Sequence, residues 1–104
     1  MLDQSILKYL TAEEAAKARA FEVLFGSEGW KAFMEVIKNQ YGLAEQQVMR
    51  ANTWADNRVA FGRLTSFGDI LLFEEQIEKG FENQVAQRRA EAEQEEMEAE
   101  LEYE

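Results

Sequence analysis

Not one proline interrupts this chain of 104 residues, and that absence constrains its fold more than any other feature. Proline is the residue that helix interiors and central strands exclude, so no position carries a hard stop. Ala, Glu, Gln, Leu, Lys, Arg and Met dominate, and these are strong helix formers. Alternating runs of β-branched residues, the mark of strands, do not occur. The pattern predicts an all-α fold. Short N-terminal helices pack on a long C-terminal helix, which could break near Gly62–Gly68 and which ends in an acidic tail.

The apolar spacing places the segments. Ile6, Leu7 and Leu10 give a short N-terminal turn or helix. Thr11 stands three residues before Glu14, the spacing of a capping box. A helix from about residue 12 to residue 25 follows, with Ala15, Ala18, Phe21, Leu24 and Phe25 three or four apart. Gly26 ends it and Ser27 caps the next. In that helix Trp30, Phe33, Met34, Ile37 and Tyr41 form the apolar face, and Trp30, Phe33 and Ile37 read as core. Gly42 reads as a stop or kink. From Leu43 the stripe restarts through Val48, Ala51, Ala55 and Val59 and continues to Val85. One helix from 43 to about 97, bent at Gly62 and Gly68, is preferred over two helices joined by a turn at 65–69 with Asp69 as the cap. A helix of that length would strand Ile77, Phe81 and Val85 beyond the reach of the preceding residues, and so would demand a partner chain.

Composition removes whole classes of chemistry. There is no Cys and no His, so disulfides, Cys/His zinc sites and histidine bases are excluded. Glu74, Glu75, Glu78 and Glu82 crowd one helix, and carboxylates at that spacing can hold a divalent cation. The di-metal pattern of helical bundles needs Glu-x-x-His, so these four read as a solvated face. Asp56 and Asp69 read as surface or capping residues. Phe25-Gly26-Ser27-Glu28-Gly29-Trp30 lacks the Lys and third Gly of a phosphate loop. No catalytic residue, cofactor or metal ligand is assigned, and no enzymatic activity is expected. The longest strongly apolar run, Ile70-Leu71-Leu72-Phe73, is far short of a membrane span. Met1-Leu2-Asp3-Gln4-Ser5 has neither the basic nor the apolar region of a signal peptide, so no membrane partner is expected.

Charge is segregated. The net charge is −10, yet eight of the 21 acidic residues are Glu within residues 90–104, which hold no basic residue. The other 13 face all 11 basic residues, a net of −2 over residues 1–89. The chain therefore reads as one helical domain over 1–89 and an acidic helical or disordered tail over 90–104. Such a tail repels nucleic acid, whose phosphates need positive charge to replace their counterions. It suits a basic protein surface.

The candidate contact residues follow from position. Trp54 sits off the Val48-Ala51-Ala55-Val59 stripe, and tryptophan is enriched at interface hot spots. Arg50, Arg58 and Arg63 are the one basic feature of the long segment. They can meet a phosphate or a neighbour's acidic tail, or pair within the chain with Glu45, Asp56 or Glu22. Arg88-Arg89 reads as a charge boundary before the tail. Ile77, Phe81 and Val85 await a partner, and Met97 and Leu101 share one face of the tail if it is helical.

Gly29-Trp30 with Phe33, then Trp54, Arg58, Phe61-Gly62-Arg63-Leu64, Ile70-Leu71 and Glu74 through Ile77, resembles a class of short helical proteins encoded among the head and packaging genes of tailed bacteriophages. The resemblance spans about residues 28–80. It implies a virion or assembly protein, in the bacterial host cytoplasm or the virion, that acts through protein contacts with a larger phage component or with copies of itself. The alternative is an acidic regulatory binder, a nucleic-acid mimic that occupies a basic surface of a host protein. A mimic would spread its carboxylates over a rigid body, whereas here they lie in a terminal block.

Residues 90–104 offer only Met97, Leu101 and Tyr103 as large apolar groups. That is too little to offset an ordering entropy of about 1–2 kcal/mol per residue by packing on the body. Deleting residues 90–104 is expected to leave the melting temperature nearly unchanged while weakening partner binding. A much lower melting temperature in the truncated chain would show the tail to be part of the core.

Overall fold

The computed structural model describes residues 4–102; Tyr103 of the tail lies outside them. Among the described residues the chain is helical, without strands: α1 (Gln4–Leu7), α2 (Ala12–Phe25), α3 (Glu28–Arg50), α4 (Trp54–Leu71) and α5 (Phe73–Glu102). They fall into two compact units, one formed by Met1–Val23 with Gln76–Glu104 and the other by Leu24–Glu75.

Each helix start has a local cause. Thr11 and Glu14 form the reciprocal capping box: the Thr11 hydroxyl accepts the Glu14 N–H at 3.2 Å, and the Glu14 carboxylate accepts the Thr11 N–H at 2.8 Å. Ser27 caps α3 by accepting the Trp30 N–H at 3.2 Å. Thr53 caps α4 by accepting the Asp56 N–H at 3.1 Å. These bonds satisfy N–H groups that a helix N-terminus otherwise leaves without partners.

The single helix expected from 43 to 97 does not form. α3 runs through Gly42 to Arg50, and the chain turns at residues 51–53. A glycine inside a helix costs only about 1 kcal/mol relative to Ala, and burial of Ile37 and Ala44 on either side of it holds the helix together. The stop at 51–53 has two anchors besides the Thr53 cap. Asn57 Nδ2 donates to the Val48 carbonyl at 3.2 Å, one of the last carbonyls of α3 that no helical N–H reaches. Arg50 stands in the last turn, where a cation opposes the helix dipole.

The second interruption falls at Leu72, not at 65–69. Thr65 and Ser66 stay helical because their hydroxyls donate to the Phe61 and Gly62 carbonyls one turn back, at 3.0 Å each. Bonded that way, they no longer compete for a turn. Asp69 is therefore an exposed residue inside α4 and not a cap. The Leu72 N–H closes α4 by donating to the Gly68 carbonyl at 3.2 Å.

In the second unit α3 and α4 form a helical hairpin. Ile37, Ala44 and Ala60 are its buried residues. Gly68 lies against α3: a Cβ there would stand 3.4 Å from the Tyr41 ring, an ordinary van der Waals contact. At the start of α3, Phe25 packs against Trp30 with ring centroids 5.1 Å apart and edge-on to Phe73 at 6.1 Å. Trp30 is half-buried within this cluster, whereas Phe33, read from the sequence as core, lies on its exposed side.

In the first unit Ala18 and Val85 are buried, and Ile77 and Phe81 are half-buried. The expectation that Ile77, Phe81 and Val85 wait for a partner chain rested on one unbroken helix. Val85 is instead buried within this unit and offers no surface, while Ile77 and Phe81 keep part of theirs. Glu14 joins the capping box to α5. Arg88 Nη2 donates to its carboxylate at 2.7 Å, Arg88 Nη1 and Gln84 donate to it as well, and Nη1 also donates to the Tyr9 carbonyl at 2.7 Å. The Arg89 guanidinium lies over the Tyr9 ring at 5.2 Å. Arg88-Arg89 is therefore the clamp on the N-terminal turn, beyond the charge boundary read from the sequence. α5 continues without a break through position 90 to Glu102.

The Glu14 carboxyl is held down to about 2 from an ordinary 4.5, first by the Arg88 hydrogen bond and then by the Thr11 N–H. A carboxyl depressed on folding stabilises above its unfolded pKa, and that stability is lost as pH falls toward the folded value. Melting of the wild type is expected to fall more steeply than that of Glu14→Gln between about pH 4.5 and about pH 2. Parallel acid limbs in circular dichroism would show that the pair contributes nothing.

Candidate functional site

The hairpin buries little and displays much. Met49 is 84% exposed, Trp54 75% and Phe61 58%, and Leu43, Val59 and Leu72 are exposed as well. These exposed apolar side chains are divided between the two grooves that flank the helix contact, Leu43 and Val59 on one and Phe61 and Leu72 on the other.

The residues that flank its groove come from different helices. Leu43, Gln47 and Arg50 of α3 face Val59, Ala60 and Arg63 of α4 across an open groove of about 460 Å³. The turn at 51–53 is what puts Arg50 and Arg63, from different helices, on the lining of one groove. The basic feature read from the sequence on one long helix is thus divided, with Arg50 on α3 and Arg58 and Arg63 on α4. Asp56 also lines the groove, yet Arg50, Arg58 and Arg63 form no ion pair among the described residues. The intrachain pairing with Glu45, Asp56 or Glu22 considered from the sequence is absent there. A second groove, of about 510 Å³, is more apolar and runs past Tyr41, Phe61, Leu64 and Leu72.

Trp54 stands at the first position of α4, where the Thr53 cap fixes the backbone and leaves the indole outward. One turn on, the Arg58 guanidinium lies over the indole at 5.2 Å. Such a cation–π contact contributes about 0.5–1 kcal/mol at exposed sites and holds the ring in one orientation. The i, i+4 spacing made this pair legible. Thr53 was legible too, since Thr-x-x-Asp before an apolar run is a capping signal, but it was missed.

The remaining candidates lie apart from this surface in the chain. Met97 and Leu101 are exposed on α5 at 64% and 69%, four residues apart on one helix face. Among the described residues, no three carboxylates stand close enough to share a metal ion, and no helix is long and apolar enough to cross a membrane. No protein-family model, curated protein or solved structure matches the chain.

Exposure separates surface from core in a way mutation can read. Trp54→Ala is expected to cost no more than about 1 kcal/mol of stability, the loss of an exposed cation–π contact. Ala60→Leu, which forces extra volume into the buried helix contact, should cost about 1–3 kcal/mol. Urea denaturation of both variants checks the contrast, and equal losses would place Trp54 in the core.

Proposed function

We propose that this chain is a non-enzymatic contact protein, a virion or assembly component of a tailed bacteriophage that works by docking its helical hairpin on a larger particle component or on copies of itself. The observation that carries the reading is the exposure of Met49, Trp54, Val59 and Phe61 on a hairpin whose buried residues are few and small. Burying an exposed Leu- or Phe-sized side chain in an interface is worth about 1.5–3 kcal/mol. Several together supply what docking needs against the loss of rotational and translational freedom. Trp54 is pre-oriented by Arg58, so less side-chain entropy is lost on contact. The phage assignment is supported by the resemblance of Gly29-Trp30, Trp54, Arg58, Phe61-Gly62-Arg63-Leu64 and Ile70-Leu71 to short phage head and packaging proteins. Of these, Trp54, Arg58, Phe61 and Arg63 lie along α4.

A second reading, an acidic binder that mimics nucleic acid, draws on the continuity of α5 to Glu102. A helix holds the tail's carboxylates at fixed spacing, as a mimic requires.

Capture from lysates of phage-infected bacteria, with partners identified by mass spectrometry, tests the two. Capture of a head, portal or tail component by the wild type, lost in Trp54→Ser/Phe61→Ser, is the expected result. Capture of a basic host protein that survives that double substitution and disappears in high salt would replace the first reading with the second. A folded chain that captures nothing and stays monomeric would sink both.

A further inference from the structure

The groove between α3 and α4 and the acidic end of α5 complement each other. Between Gln46 and Gly68 the chain holds three Arg and one acid, Asp56, while residues 90–104 hold eight Glu and no base. The groove is lined by the apolar Leu43, Val59 and Ala60, with Arg50 and Arg63 beside them. The helix face of Met97 and Leu101 has the matching layout. Glu93 and Glu100 flank it on one side and Glu98 on the other, at about 100° per residue.

Lengths agree as well. Leu43 to Arg50 spans about 10 Å of helix and Glu93 to Leu101 about 12 Å, at about 1.5 Å per residue. The charges of both surfaces lack an opposite partner: Arg50 and Arg63 form no ion pair among the described residues, and neither do Glu93, Glu98 and Glu100, although Glu98 accepts a hydrogen bond from Gln94 Nε2 at 3.4 Å.

We propose that the groove is a docking site for the acidic C-terminal helix of a second copy of this chain, with Met97 and Leu101 against Leu43, Val59 and Ala60 and with Glu93, Glu98 and Glu100 against Arg50 and Arg63. The occupant is a second copy because the chain itself supplies both a charge and an apolar pair of the required sign and spacing. Contact between the tail of one copy and the hairpin of the next is heterologous. It propagates into rings or filaments unless two copies exchange tails. The inference rests on the reading of the chain as a contact protein and gives that protein its own copies as partners.

Light scattering on the full chain at about 0.01 M and about 1 M salt, where screening lengths are roughly 30 and 3 Å, tests it. Self-association at low salt that weakens at high salt is expected. Arg50→Glu/Arg63→Glu and Glu93→Lys/Glu98→Lys/Glu100→Lys should each weaken it by about tenfold or more. Mixing the two variants should restore association, because each then offers the surface the other lacks. Met97→Ser/Leu101→Ser, confined to exposed positions, should weaken it without lowering helicity. Association that ignores the charge reversals, or variants that fail to recombine, would overturn the proposal. A wild type that stays monomeric yet captures a virion component overturns it while leaving the contact reading intact.

Discussion

Three hydroxyls turn what would otherwise be nearly continuous helix into a folded chain. Thr11, Ser27 and Thr53 each accept the N–H three residues on, and each stands between two helices. With no proline present, nothing else in the covalent chain imposes a stop. A cap contributes only about 1 kcal/mol, but in a sequence of uniformly high helix propensity that small preference decides where one helix ends and the next begins. The hairpin, its groove and the outward Trp54 all depend on the Thr53 cap and on the Asn57–Val48 bond beside it.

The side chains that hold these turns together are small. Ala44, Ala60 and Ile37 are what the hairpin buries. Small residues let two helices approach closely, and close approach pushes larger neighbours to the rim. Leu43, Val59 and Phe61 are exposed there. The exposed apolar side chains follow from the small size of the buried ones.

The other unit uses charge where the hairpin uses packing. Glu14 accepts from Thr11, Gln84 and Arg88, so a single carboxylate caps α2 and ties it to α5. A bidentate guanidinium–carboxylate pair fixes orientation as well as distance. Arg88 reaches on to the Tyr9 carbonyl, and Arg89 covers the Tyr9 ring. The N-terminal turn is held by residues nearly eighty positions away.

What could be read from residue order alone was whatever is local. Helical class, the Thr11–Glu14 capping box, the Ser27 cap and the segregation of charge each rest on spacings of four residues or fewer or on counting. Those signals survive folding because their partners are neighbours in the chain. Where two local signals competed, tertiary context chose. Gly42 passed inside a helix because burial of Ile37 and Ala44 outweighed its propensity cost. Thr65-Ser66 remained helical because their hydroxyls turned back to carbonyls one turn earlier. The groove was beyond sequence reasoning for a related reason. Arg50 and Arg63 are thirteen residues apart, with no helical periodicity to relate them once the chain reverses at 51–53. Only the reversal puts both on the lining of one groove, because long-range placement follows from where helices stop, and the stops are decided by margins of about 1 kcal/mol.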